Sequence, residues 1–175
     1  VVGTVWKTML NARIPVLSDL LDLFGIDTAM LLGSSTTAIV TVSMIMVWKS
    51  FGYYMVLNLA TLLSIPDSYY EAAKVDGGGT LQRFRYITLP LMKPAIIMDV
   101  FLSVVSSLQS FELIYTMTGG GPANSTMTMV FYAYNLTFKT GKAGYAMAVS
   151  NVLFLLVLAV MVLQKGFMKR EASEI

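Results

Sequence analysis

Three long runs of apolar residues dominate the chain, and a helix needs about 20 such residues to cross a bilayer. The first run lies within Ser35–Leu63, the second covers about Ala95–Tyr115, and the third covers about Ala143–Leu163. A shorter apolar stretch, Val1–Leu10, is either the end of another span or an interfacial segment. The pattern predicts an all-α membrane protein, with a bundle of three full transmembrane helices plus a partial one.

Two shorter segments carry weaker patterns. Residues 17–24 place apolar and polar side chains on opposite sides of a helix, which predicts an amphipathic helix at the membrane surface that Gly25 ends. The apolar positions are Leu17, Leu20, Leu21 and Phe24, and the polar positions are Ser18, Asp19 and Asp22. Residues 127–138 form an apolar run rich in Tyr and Phe that is too short and too polar to span.

The first and second apolar runs contain polar residues that are costly at membrane depth. Lys49 lies near the middle of the first run, and it either faces a bundle interior or snorkels from a helix that breaks at Gly52. The second run carries Asp99 and Glu112 near its ends, with four serines and Gln109 between them. The serines favour close helix packing, whereas Gln109 and Glu112 favour a polar pathway or gate.

The longest polar segment between apolar runs is residues 66–90. Its sequence predicts two short helices, DSYYEAAKV and TLQRFRYIT, joined by the glycines Gly77–Gly79, which permit a sharp reversal with positive φ. Pro66 suits the first turn of the first helix, and Pro90 and Pro94 close the unit before the chain re-enters the bilayer. A connection of this size and regularity is expected to dock another molecule.

The composition agrees with a membrane protein and excludes several classes of function. The chain is 56% hydrophobic and 13% charged, against about 45–50% and about 25% in soluble domains. It contains no cysteine and no histidine, which excludes disulfides, thiolate metal sites and the commonest general base. We therefore expect no metal and no cofactor. A net charge of +2 without a basic stripe gives no indication of a nucleic-acid partner.

The distribution of Lys and Arg predicts the orientation, because cytoplasmic loops are enriched in them. The 66–90 loop with its edge and the C-terminal tail lie on one side and hold seven basic residues, whereas the other side holds three. The seven are Lys74, Arg83, Arg85, Lys93, Lys165, Lys169 and Arg170, and the three are Arg13, Lys139 and Lys142. The 66–90 loop is therefore predicted to face the cytoplasm.

No segment predicts catalysis. The glycine-rich run at 118–126 lacks the following Gly-Lys-Ser/Thr and the preceding strand of a phosphate-binding loop. Glu71 and Asp76 lie five residues apart around a helix end, which fits a helix-start charge and a turn residue better than an acid–base pair. Glu71 with the small Ala72 and Ala73 instead favours a docking surface that a partner can approach closely.

The motif that identifies this surface reads Glu71-Ala72-Ala73, three residues, Gly77, nine residues, Ile87, one residue, Leu89-Pro90. It resembles the EAA loop of bacterial ATP-binding-cassette importer permeases, although Gly78 replaces the family's frequent Ala and should loosen the turn. The rest of the chain is similar to the carbohydrate branch of that family, the permeases for maltose, glycerol phosphate and similar solutes. The supporting matches are Trp48-Lys49 with Phe51-Gly52, Ile65-Pro66, Phe111-Glu112, Gly119–Pro122 with Ser125-Thr126, and Gly144-Tyr145-Ala146.

The resemblance implies a single permease domain over 1–175, N-terminally incomplete, with 66–90 as its cytoplasmic coupling loop. It implies a multi-pass protein in the plasma (inner) membrane of a bacterium or archaeon. The implied partners are a cytoplasmic ATP-binding subunit, a second permease subunit in a heterodimer and an extracytoplasmic solute-binding protein. The ATPase-coupling residues carried over are Glu71, Ala72, Ala73, Asp76 and Gly77. No motif fixes the substrate contacts, for which the physical candidates are Gln109, Glu112, Tyr115 and Asn151.

The resulting hypothesis is a non-catalytic transmembrane subunit of an ATP-driven importer, for a sugar or a related polyol or glycerol-phosphate solute. The same loop is also compatible with import of peptides, amino acids or ions. A membrane-embedded enzyme would use Asp99 or Glu112, but these are 13 residues apart, about 20 Å along a helix. A channel or an assembly protein is a further alternative, and solute movement without ATP would distinguish the channel.

Overall fold

The computed structural model describes residues 1–11, 23 and 28–172, and within them the chain forms helices joined by loops, without strands. The helices are α1 Val2–Asn11, α2 Thr28–Leu31, α3 Ser35–Leu63, α4 Asp67–Val75, α5 Thr80–Leu108, α6 Glu112–Met117, α7 Met129–Phe138 and α8 Ala143–Ala172. The amphipathic helix predicted over residues 17–24 lies outside the described residues, except for Leu23. The predicted all-α fold is confirmed.

Three helical segments in the described part of the chain are long and apolar enough to cross a membrane: Ser35–Leu63, Thr80–Leu108 and Ala143–Met168. The first agrees with the predicted span, and the third extends the predicted 143–163. The second corrects the prediction of 95–115, because its helix begins and ends earlier. Many apolar side chains of all three segments are exposed, which fits contact with lipid or with other membrane helices.

Helix α5 ends at Leu108, where a local turn and a tertiary hydrogen bond replace the helical pattern. The Ser110 N–H donates to the Ser107 carbonyl at 3.2 Å, and the Ser110 carbonyl accepts from the Thr128 hydroxyl at 2.7 Å. Residues 109–111 are not helical, and α6 then begins at Glu112. Glu112 is therefore not on the same helix as Asp99, so the separation expected along one continuous helix does not apply.

The second helix of the 66–90 loop is the beginning of α5 and not a separate element. Thr80–Arg83 is α-helical, Phe84–Thr88 is π-helical, and the α-helix resumes at Leu89. Pro90 and Pro94 lie inside this helix, contrary to the prediction that they close the loop. The wider π turn leaves room for the ring and the missing N–H of a following proline.

Helix α3 runs without interruption through Gly52, so of the two alternatives for Lys49 the one with a helix break at Gly52 is wrong. A Cβ atom at Gly52 would meet nothing within 4 Å. One glycine costs a helix about 1 kcal/mol relative to alanine, which a helix of 29 residues tolerates. The Lys49 side chain therefore projects from a regular part of the α-helix.

One compact unit comprises Val1–Ser50 and Ser106–Val157, and it contains two small hydrophobic cores. Helix α1 approaches α6 closely at Gly3, where a Cβ atom would collide with the Thr116 hydroxyl. The first core consists of Leu10, Ile45, Leu113 and Met117, and the second of Val42, Ile114 and Phe131. Both cores contain residues of α3 and α6, so the short α6 is held against the first half of α3.

A second compact unit comprises Phe51–Val105 and Leu158–Ile175, and it contains the 66–90 loop. No residue of α4 is buried. In the described part of this unit, side-chain hydrogen bonds join Asn58 to Asp99 and Tyr70 to Thr88. The unit therefore presents α4 on its surface while polar contacts hold the flanking segments together.

Candidate functional site

The predicted coupling residues lie on and directly after α4, whose ends follow from local sequence. Pro66 is the N-cap residue, with extended backbone, and Asp67 in the first turn and Lys74 in the last turn complement the helix dipole. Glu71 and Ala72 are exposed, and Ala73 is half-buried. A partner can therefore reach the Glu71 carboxylate and approach the helix backbone across the two alanines.

Asp76, Gly77 and Gly78 form the turn that ends α4. Gly77 has φ of 78°, a left-handed conformation that favours glycine. The Gly78 N–H donates to the Ala73 carbonyl at 2.8 Å and the Gly77 N–H to the Lys74 carbonyl at 3.1 Å, the two bonds of a Schellman motif. A Cβ atom at Gly78 would lie 2.7 Å from the Ala73 carbonyl oxygen. Gly78 therefore closes the turn tightly instead of loosening it as expected.

Side-chain hydrogen bonds also stabilise the connection from this turn to α5. The Gly79 N–H donates to the Gln82 side-chain oxygen at 2.8 Å, which caps the first turn of α5. The Tyr70 and Thr88 hydroxyl groups are 3.0 Å apart and hydrogen-bonded, and Thr88 is buried. This bond connects α4 to the π-helical segment, so the 66–90 loop has a defined structure held by its own side chains.

The predicted pathway residues Gln109 and Glu112 line a cleft of about 420 Å³ where α5 ends and α6 begins. Lys49 of α3 closes one side, with its Nζ atom 2.9 Å from Oε2 of Glu112. The remaining lining residues are Met46, Ser50, Ser106, Ser110, Phe111 and Leu113. The cleft thus combines an ion pair, an amide and several hydroxyl groups with an apolar wall.

The ion pair between Lys49 and Glu112 stays accessible to solvent and to a solute, because 41% and 54% of the two side chains are exposed. The hydrogen bond from Lys49, assisted by its charge, holds the pKa of the Glu112 carboxyl below its usual range. Glu112 is therefore ionised at neutral pH. The sequence left two alternatives open for Lys49. The presence of Glu112 in another apolar run was the signal that this lysine has an acidic partner, because charged residues in such runs usually pair.

The other two pathway candidates lie outside this cleft. Tyr115 is on α6, half exposed, and its ring stacks on Phe111 with centroids 5.4 Å apart. Asn151 is exposed on α8 and does not line the cleft. The structure therefore brings Gln109 and Glu112 together and leaves Tyr115 and Asn151 at separate positions.

Tyr115 belongs to an aromatic cluster with Phe111, Phe131 and Tyr134, whose ring centroids are 5.1 to 6.2 Å apart. The hydrogen bond between the Tyr115 and Tyr134 hydroxyl groups raises the pKa of Tyr134. Lys139 lies over the Phe131 ring, with Nζ 5.7 Å from the centroid. Aromatic contacts contribute about 0.5–1.5 kcal/mol each beyond area burial. The cluster is an aromatic wall that adjoins the cleft at Phe111, which belongs to both.

Comparison with known proteins identifies relatives of this chain. A family model described as binding-protein-dependent transport system inner membrane component matches residues 7–172. The sulfoquinovosyl glycerol transport system permease protein of Agrobacterium fabrum is 35% identical over 158 residues, and the trehalose/maltose transport system permease protein of Thermococcus litoralis is 34% identical over 168 residues. These alignments cover 90% and 95% of this chain but 51% and 57% of the relatives, so the chain spans about half of their length.

A solved structure shows the same fold. The crystal structure of a bacterial ABC transporter involved in the import of the acidic polysaccharide alginate has a TM-score of 0.76 with this chain at 23% identity. The match covers 89% of this chain and 55% of that chain. A second structure of a bacterial alginate ABC transporter, in complex with an alginate pentasaccharide-bound periplasmic protein, has the same TM-score.

The family model accounts for nearly the whole chain, and the relatives that match over most of it are transport permeases. The three membrane-length helical segments agree with a multi-pass protein of the inner membrane. The resemblance inferred from the 66–90 loop is thereby confirmed at the level of the family. The chain belongs to the family of binding-protein-dependent transport system inner membrane components.

Proposed function

We propose that this chain is part of the transmembrane subunit of an ATP-driven importer, and that its 66–90 loop transmits the motion of a separate cytoplasmic ATP-binding subunit. The observation that carries the proposal is the geometry of the loop. Helix α4 has no buried residue, is ended by a closed turn and is tied to α5 by Tyr70 and Thr88. Such an element loses little conformational entropy when it binds a partner.

The chemistry of the loop surface also supports docking to a protein. The loop that contains Glu71 also carries exposed apolar and aromatic side chains, and aromatic residues are enriched where protein interfaces bury surface. They are Tyr69, Val75, Leu81 and Phe84, each more than half exposed. In this proposal Glu71 pairs with a basic residue of the ATP-binding subunit, and Ala72 and Ala73 allow close approach. Asp76 and Gly77 hold the helix end in place.

The expected topology supports the same partner. The 66–90 loop and the end of α8 lie on the side richer in Lys and Arg, which is the cytoplasmic side in most membrane proteins. The opposite side would receive the solute from an extracytoplasmic solute-binding protein. The exposed apolar faces of α3, α5 and α8 fit the lipid bilayer and a second permease subunit, which completes a heterodimer in this proposal.

The cleft at Lys49 and Glu112 is proposed as part of the solute pathway. Its volume of about 420 Å³ falls in the range of small-molecule sites, about 300–1,000 Å³. Gln109 offers both donors and an acceptor, and the ion pair offers a donor and an acceptor at fixed positions. Tyr115 contributes through the adjoining aromatic wall, whereas Asn151 would contact the solute at another stage of its passage.

A sugar or a related polyol or glycerol-phosphate compound is the proposed solute. Hydroxyl, amide and charged groups beside an aromatic wall suit a polyhydroxylated molecule with apolar ring faces. The names of the relatives, which include permeases for sulfoquinovosyl glycerol and for trehalose and maltose, support this class. Import of a peptide, an amino acid or an ion is the alternative, and an uptake screen with the cognate binding protein separates the two.

Site-directed crosslinking tests the docking of the loop. The chain has no cysteine, so Ser68→Cys on exposed α4 and Thr140→Cys in the exposed segment after α7 each introduce a single reactive thiol. In the complete transporter, the thiol at position 68 should crosslink to the ATP-binding subunit and the thiol at position 140 should not. Equal crosslinking at both positions, or crosslinking only at 140, would contradict the proposed docking and orientation.

A further inference from the structure

Two polar residues in the membrane-spanning segments are hydrogen-bonded to each other and have no part in the cleft. Asn58 of α3 donates through Nδ2 to Oδ2 of Asp99 on α5 at 2.5 Å. The same Nδ2 atom donates to the Tyr54 carbonyl at 2.8 Å, which fixes the orientation of the amide. Both side chains are half-buried. Polar residues at membrane depth are costly and usually have a functional or packing reason.

The position of this hydrogen bond indicates what it does. Helix α3 enters the 66–90 loop and helix α5 leaves it. Asn58 lies within two turns of the end of α3 at Leu63. Asp99 lies 11 residues beyond Thr88, about 16 Å along α5. The Tyr70–Thr88 bond and the Asn58–Asp99 bond are therefore two successive cross-links around the loop, and both belong to the same compact unit.

We propose that the Asn58–Asp99 hydrogen bond makes the 66–90 loop and its two flanking helices move as one body. This inference rests on the proposed function, in which a partner subunit displaces the loop. Without a cross-link between α3 and α5, such a displacement would be absorbed by sliding of one helix along the other. With it, the displacement is shared by the flanking segments of α3 and α5. Asn58 and Asp99 are thus positioning residues for coupling and do not contact the solute.

A reversible bridge between the two positions tests this rigid movement. Asn58→Cys with Asp99→Cys, in a chain that otherwise has no cysteine, is joined by a short bifunctional methanethiosulfonate in membranes holding the complete transporter. Both substitutions remove the hydrogen bond, so the unbridged variant should hydrolyse more ATP per solute imported than wild type, and the bridge should restore the wild-type ratio. A ratio that bridging leaves unchanged, or uptake that is lost on bridging and regained on reduction, would overturn the proposal.

The amount of ATP hydrolysed per solute imported distinguishes coupling from a purely structural role. Asn58→Ala and Asp99→Ala should raise this ratio by about 2- to 30-fold, the range for loss of a coupling contact. The exchange of Asn58→Asp with Asp99→Asn should restore it, because the pair of side chains is kept. Ser103→Ala is the matched control, since the Ser103 hydroxyl bonds to its own helix at the Val100 carbonyl. An unchanged ratio in both alanine variants would overturn the proposal.

Failure of this inference and failure of the proposed function give different results. A wild-type transporter that imports no solute on addition of ATP would contradict the proposed function. Wild-type uptake together with an ATP ratio that the bridge does not restore would contradict only the role of the Asn58–Asp99 link. Wild-type uptake together with an unchanged ATP ratio in the alanine variants would leave the proposed function in place and remove the role of Asn58 and Asp99.

Discussion

At the scale of the residue, the three consecutive glycines of the 66–90 loop differ in backbone angle and in the space around the Cβ position. Gly77 has positive φ, and its Cβ position is open. Gly78 has a Cβ position that is blocked by the Ala73 carbonyl oxygen. Gly79 is an N-cap residue with φ of −68°, which any residue adopts. Sequence reasoning identified a reversal here, but it could not assign these roles because they depend on backbone angles and contacts.

Gly77→Ala should destabilise the turn by about 1 kcal/mol, because an alanine in left-handed conformation is strained. Gly79→Ala is the matched control and should change little, since its Cβ would meet only the Gln82 side-chain oxygen at 3.7 Å. Hydrogen exchange of the loop amides measures the difference, and the first variant should exchange about fivefold faster. Equal exchange in the two variants would show that the positive φ of Gly77 is not required.

Glu112→Gln should weaken solute binding in the cleft, because the ion pair with Lys49 is lost. The expected result is a higher KM for ATP-driven uptake with little change in ATP hydrolysis. The matched control is Glu71→Gln, which lies in the 66–90 loop and should alter coupling instead of KM. A KM unchanged by Glu112→Gln would argue against the cleft as part of the pathway.

The same ion pair gives a pH dependence of stability with a definite sign. The folded-state pKa of Glu112 is lowered, so its contribution is present above the pKa of the unfolded chain and is lost as the pH falls through the lowered value. Because both side chains are partly exposed, this contribution is less than about 1 kcal/mol. The difference in Tm between wild type and Glu112→Gln should be constant near neutral pH and should shrink in acid. A difference that grows in acid would contradict the assignment.

At the scale of the element, helix ends set by local sequence were predictable and those set by tertiary contacts were not. Pro66 at one end of α4 and Asp76 with Gly77 at the other gave its bounds correctly. The end of α5 at Leu108 depends on the Thr128 hydroxyl, 20 residues further along the chain, which no local pattern reveals. The continuation of α5 through Pro90 depends on the π-helical segment Phe84–Thr88, so two prolines that suggested a boundary lie inside a helix.

Tyr70→Phe should loosen α4 from α5, because the buried Thr88 hydroxyl loses its partner. Leaving a buried hydroxyl unpaired costs about 1–3 kcal/mol. Tyr69→Phe is the matched control, since the Tyr69 side chain is largely exposed. Thermal unfolding of the purified transporter and hydrogen exchange across α4 measure the effect. A loss of protection that is the same in both variants would show that the Tyr70–Thr88 bond does not hold the loop.

At the scale of the whole molecule, composition and hydrophobic pattern gave the class of protein, and the motif of the 66–90 loop gave its family. Both predictions depend on features that are contiguous in sequence. The cleft was only partly predictable, because Lys49 and Glu112 are 63 residues apart and only the fold brings them together. Tyr115 and Asn151 were chosen by residue type alone, and neither lines the cleft. The solute follows from no motif, because no motif fixes the residues that contact it.

The central claim is that the 66–90 loop couples ATP hydrolysis in a partner subunit to solute movement through this chain. ATP-driven uptake by the complete transporter in vesicles, measured for Glu71→Ala against Asp67→Ala, tests it most directly. Both residues are exposed acids on α4, so the comparison separates a specific contact from loss of charge. The account predicts that Glu71→Ala lowers uptake about tenfold, the loss expected when a charge pairing at an interface is removed, while Asp67→Ala leaves it nearly unchanged. Full uptake with Glu71→Ala would contradict it.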